Sequence, residues 1–128
     1  MGSNAAFVVT LLDTGARAVA SSAAETLLER HPELEARFQP DPFAGWMDHF
    51  TGRIGQLAAA MSAGAPALFA ADIAWARAAF ESRDVPVDDL RASLDALEAA
   101  VDDSLPDHAR GACAPCFTAA RKRLDEQI

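Results

Sequence analysis

Apolar positions along the chain recur at intervals of three and four residues, and no run alternates, so the sequence predicts helices and no strand. Phe7, Val8, Leu11, Leu12, Gly15 and Val19 share one stripe, which predicts a helix over residues 4–20. Ser22-Ala-Ala-Glu25 then has the form of a capping box, in which Ser22 accepts from a backbone N–H and Glu25 reaches back. A second helix is expected from Ser22 to Arg30, with Pro32 following and a short helical turn carrying Leu34 and Phe38.

The next helix is the best marked. Asp41 is the candidate N-cap and Pro42 occupies the first helical position. Phe43, Met47, Phe50, Ile54, Leu57 and Met61 follow as a continuous stripe, and Gly64 is the stop. Gly52 and Gly55 inside it each cost about 1 kcal/mol relative to Ala, which points to a neighbouring helix or a ligand approaching there. Pro66 opens another helix, with Phe69, Ile73, Ala76 and Phe80 on its stripe, Leu68 and Trp75 beside it, and an end near Asp84. Pro86 starts the following one, with Asp88 and Asp89 in the first turn, where the helix dipole favours acids, and Leu90, Leu94, Leu97 and Val101 inside. Ser104-Leu-Pro106-Asp107 begins a last segment whose apolar face is Ala109, Ala112, Cys113, Cys116, Phe117, Ala120 and Leu124. Pro115 must break or kink it.

The expected fold is all-α: residues 1–128 as one antiparallel bundle of five to seven helices with short connections. A globin-like arrangement is one form it could take. Composition agrees. Thirty of 128 residues are Ala, the best helix former, and 51% are hydrophobic, enough for a sizeable core. The net charge of −8 argues against a nucleic-acid partner and against a basic membrane-surface helix. The longest uncharged stretch, residues 54–71, is interrupted by Gln56, Ser62, Gly64 and Pro66 and reads as no membrane span. The N-terminus lacks the basic region of a signal peptide, so a soluble, cytoplasmic protein is expected.

The candidate chemistry is sparse. There is no Gly-rich phosphate loop, nucleophile motif or obvious carboxylate pair, which favours a non-catalytic role. Cys113-Ala-Pro-Cys116 could form a redox pair if a helix starts at Cys113 and lowers its pKa. Both cysteines also fall on an apolar face, where buried free thiols are common, and this inert reading is preferred. Two thiolates do not complete a tetrahedral zinc site, and no His or Cys is spaced to join His31, His49 or His108 as a metal ligand. Most of the aromatics gather on two consecutive helices. Core packing is the default explanation. The alternative is a wall for a flat apolar ligand built from Trp46, His49, Phe50, Phe69, Trp75 and Phe80.

Leu27 to Phe38, the amphipathic helix after it, Ala65-Pro-Ala-Leu-Phe69, Ala74-Trp75 and Arg83-Asp-Val-Pro86 leading to Leu90, Leu94, Leu97 and Leu105-Pro106 together resemble a known pattern. The resemblance is to the helical domain that precedes cobalamin-binding domains in bacterial sensory and regulatory proteins, and it covers about two-thirds of the chain. It implies a bundle that caps the upper face of cobalamin or another tetrapyrrole. His31-Pro-Glu-Leu-Glu-Ala-Arg-Phe38 also resembles the early helices of globins. Residues 75–90 hold no His to serve as a proximal haem ligand, so that likeness implies a globin-like sensor domain without haem. The expected function is therefore a sensory or regulatory module binding a small apolar ligand or a partner protein. The alternatives are a thiol–disulfide protein using Cys113 and Cys116, and a structural domain that forms a homodimer.

Overall fold

The computed structural model describes residues 2–126. It contains five α-helices: α1 (Gly2–Arg30), α2 (Pro42–Ala63), α3 (Pro66–Ser82), α4 (Val87–Ser104) and α5 (Ala114–Glu126). Short 3₁₀ turns at Pro32–Ala36 and Asp107–Ala109 link α1 to α2 and α4 to α5, and the described residues hold no strand. The all-α expectation therefore stands. Helix α1 packs along α2 and against α4, while α3 packs against α5. No helix among the described residues is long and apolar enough to cross a membrane.

The two N-terminal helices expected at 4–20 and 22–30 are one continuous helix. No Gly or Pro lies between Val19 and Glu25 to end the first turn of the pair. Val8, Leu12, Val19, Ala20, Ala23, Ala24 and Leu27 continue one buried face through the junction. Burying that face outweighs the local cap that Ser22 offers, because tertiary packing supplies most helix stability.

Helix α2 begins as its sequence indicates. Asp41 Oδ1 accepts from the Ala44 N–H at 3.1 Å, and Pro42 holds the first turn. It ends at Gly64, left-handed at φ 62°, whose N–H reaches back to the Ala60 and Met61 carbonyls. The stripe is rotated slightly from expectation. Trp46, Phe50, Ile54 and Leu57 are fully buried, whereas Phe43 lies near the surface and Met47 and Met61 are half-buried. The expected close approach at Gly52 and Gly55 is absent, since a Cβ at either would meet nothing within 4 Å. Both glycines face open space and simply weaken the helix. Gly52→Ala and Gly55→Ala should each stabilise the protein by up to ~1 kcal/mol, read as a raised urea midpoint.

The last segment is broken before Pro115 rather than kinked at it. The chain turns through Gly111 at φ 84°, and α5 starts at Ala114 with Pro115 in its first turn, where a missing N–H costs little. Phe117 from α5 meets Phe69 from α3 edge-on, with ring centroids 5.5 Å apart, near the N-terminal ends of the two helices. Across the bundle, the Arg37 guanidinium bonds the largely buried Asp89 carboxylate at 2.7 Å and ties the first connection to α4.

Candidate functional site

The connection between α1 and α2 is pinned from below. Trp46 is buried, and its indole Nε1–H donates to the Leu34 carbonyl at 3.1 Å, which anchors the first 3₁₀ turn on α2. Phe38 follows with φ at +56°, an uncommon conformation for a residue with a side chain. Its ring lies edge-on to Trp46, centroids 5.0 Å apart. Gly45 is what allows this, because a Cβ there would fall on the Phe38 side chain.

Phe38 thereby roofs a cleft of about 320 Å³ between α2 and α3, whose walls include Asp48, His49 and Arg53 from α2, Phe80 from α3, and Arg83 at the end of α3. A second cleft of about 140 Å³ shares Phe38, Phe80 and Arg83 and adds Arg37, Trp46 and Val85. The larger one sits at the small end of the usual ligand-site range.

His49 is packed among aromatics. Its ring lies 5.2 Å from Trp46, 5.3 Å from Phe50 and 6.1 Å from Phe80, centroid to centroid. Two buried polar atoms in this wall have no hydrogen-bond partner, His49 Nε2 and Arg53 Nε. Buried polar atoms are nearly always satisfied, so an orphaned pair one helical turn apart calls for an explanation. Arg53 Nη1 does donate, to Gln56 Oε1 at 2.7 Å. Burial, with the Arg53 charge adding to it, lowers His49 to about 3, so the imidazole is neutral near pH 7. Burial also lowers Arg53, against the opposing pull of the Asp72 carboxylate. A guanidinium nonetheless stays cationic in a protein. The cleft therefore offers a neutral imidazole and two arginines, with Asp48 the one acid in its wall.

Of the six residues expected to bind a ligand, the structure brings together Trp46, His49, Phe50 and Phe80. Phe69 is buried near the opposite end of α3, eleven residues from Phe80, against Phe117. Trp75 is 80% exposed on the outer face of α3, beside Ala71, Ala74 and Ala78. The cleft lies between the helix of Trp46 and the helix of Trp75, but the Trp75 side chain faces away from it. Phe38, Arg53 and Arg83 complete the cleft and were missed. Arg53 was legible, lying four residues after His49 on the same face. Phe38 was not, because its position follows from a turn.

The cysteine pair is free and buried. Cys113 immediately precedes α5, and its carbonyl accepts from the Cys116 and Phe117 N–H groups. Its thiol is nonetheless pushed up to about 12, first by burial and then by the neighbouring Cys116 thiol and the acids Asp102 and Glu98. Burial raises Cys116 as well. Both shifts oppose the thiolate that redox chemistry requires. Neither thiol should react with a disulfide reagent in the folded protein at pH 7, and both should react after denaturation. Prompt native labelling would restore the redox reading.

His31 pairs with Glu33 at 3.4 Å near the surface, and His108 stacks on Phe7 at 5.5 Å. No group of three or more His, Cys, Asp or Glu among the described residues could hold a metal. A further cleft, about 510 Å³, lies between the N-terminal part of α1 and the end of α2. Among the described residues its walls include no charged side chain, and Thr10 and Ser62 are its polar members. No protein-family model matches the chain, and no curated protein matches it.

Proposed function

We propose that the protein is a non-catalytic sensory or regulatory module that binds a small ligand in the α2–α3 cleft beneath Phe38. The observation carrying this reading is the orphaned pair His49 Nε2 and Arg53 Nε in an aromatic wall. A ligand with one polar group and one ring would satisfy the pair and cover Phe80. The roof would answer to occupancy, because Phe38 is held by an edge contact and a strained backbone.

The cleft's size suits a single ring more than a macrocycle. The resemblance to cobalamin-cap domains keeps tetrapyrroles in view. However, the lower-ligand pattern Asp-x-His-x-x-Gly does not occur, since Pro106 stands where the Asp would precede His108. Two measurements test the proposal. Single-ring compounds should shift the His49 and Phe80 ring resonances in NMR spectra. Incubation with cobalamin, haem or a bilin followed by desalting should leave the protein colourless. If no compound perturbs His49, the cleft is not a ligand site. Retained colour would return the site to a tetrapyrrole.

A second reading is self-association through α3. Leu68, Ala71, Trp75 and Ala78 form an outward stripe spaced three, four and three, and all four are exposed. The Trp knob and the small residues around it lie on one face, as a twofold contact with a second copy requires. Light scattering should then show a dimer that Trp75→Ala dissolves. A monomer at every concentration sinks this reading.

A further inference from the structure

We infer that the ligand of the α2–α3 cleft is a small aromatic carboxylate, its ring under Phe38 and its anionic group between Arg53 and His49. The inference rests on the binding reading above and adds the ligand's charge and shape.

The argument starts from the two orphaned atoms. Arg53 Nε can only donate, and a neutral imidazole can present an N–H at Nε2. Two donors one helical turn apart suit the two oxygens of one carboxylate, and charge-assisted bonds of this kind are the strong ones. The wider charge pattern agrees. The protein carries a net charge of −8, yet the wall of this cleft holds Arg53 and Arg83 against the single acid Asp48. Arg37, in the adjoining cleft, is already committed to Asp89, and Asp72 faces Arg53 from α3. Arg83 makes no ion pair among the described residues and stands at the mouth, where it can meet an incoming anion. Phe38, Phe80 and Trp46 supply the apolar part, and the two adjoining clefts leave room for one ring with a short substituent.

A hydroxyl could also bridge the pair, by donating to the imidazole and accepting from the guanidinium. It would bring no charge to a wall in which two arginines outnumber one acid, so the two ligand classes separate by charge. The experiment uses benzoate, phenylacetate and indole-3-carboxylate beside their uncharged amides and alcohols. Binding is read by saturation-transfer NMR and by Trp46 fluorescence in the Trp75→Phe protein. The carboxylates should bind at least ~10-fold more tightly than the neutral partners, the factor expected for one charge-assisted contact. Arg53→Gln should erase that preference, bringing the carboxylates down to the affinity of the neutral partners. Arg83→Gln, a surface change that leaves the core alone, should weaken carboxylates only and make their binding less salt-dependent. Equal binding of the neutral partners overturns the carboxylate inference and leaves the ligand site standing. If no compound of either class binds, both fall.

Discussion

Trp46→Ala should cost about 3–5 kcal/mol of folding free energy, the range for deleting a large buried aromatic. The side chain is 1% exposed and does more than fill space. Its Nε1–H donates to the Leu34 carbonyl across twelve residues, beside the local Arg37 N–H bond, and its ring is the surface on which Phe38 rests. Removing it leaves a cavity, a Leu34 carbonyl held by the Arg37 N–H alone, and a roof without a floor. The Pro32–Ala36 turn should then detach before the rest of the bundle, with faster amide exchange there than along α3 or α5. Trp46→Phe separates the contributions. It keeps most of the apolar contact and loses the donor, so a cost of roughly 1–2 kcal/mol is expected. Urea midpoints for the two variants check this. If Trp46→Ala and Trp46→Phe shift the midpoint equally, the indole bond accounts for the whole effect and packing beneath Phe38 accounts for none.

The helices were largely legible because their signals are local. Asp41-Pro42 and Gly64 set both ends of α2 through a side-chain cap and a left-handed stop. The stripe Leu90, Leu94, Leu97, Val101 is buried throughout. The errors came where a local signal competed with packing. Ser22–Glu25 reads as a helix start, and a continuous buried face runs through it. Phe43 and Trp46 are three residues apart on α2, and periodicity alone does not choose which faces inward. The bond to Leu34 chooses Trp46, and that contact spans twelve residues.

The candidate site was legible in part for the same reason. Trp46, His49, Phe50 and Phe80 meet because α2 and α3 carry them at helical spacing. Trp75 was grouped with them by residue type alone. It follows Ile73 by two residues, which on a helix points it nearly away from the core. Phe38 and the polar orphans depend on how the connecting chain folds over α2, and no periodicity encodes that.

Acid should expose the cost of burying His49. Its pKa is about 3 in the folded protein, against an ordinary value of 6.5 once unfolded. Between those values the unfolded chain holds a proton that the folded protein does not. Stability is therefore unaffected by this group above about pH 6.5 and falls as pH drops towards 3. At pH 4 the penalty has an upper limit of roughly 3 kcal/mol. His49→Gln is neutral at every pH, so its stability curve should be flatter across this window, with contributions from other groups common to both proteins cancelling in the difference. The His49 ring resonances should not titrate between pH 5 and 8. A titration near 6.5 would mean the ring is solvated and the aromatic packing around it is loose. The charged neighbours give a finer check. Arg53 acts on His49 in the same direction as burial, so Arg53→Gln should raise the folded value and reduce the slope. A carboxylate bound between the two would offset a second positive charge in the cleft. Saturation with such a ligand should therefore raise His49 and flatten the wild-type curve, whereas a neutral ligand of the same shape should leave the slope unchanged.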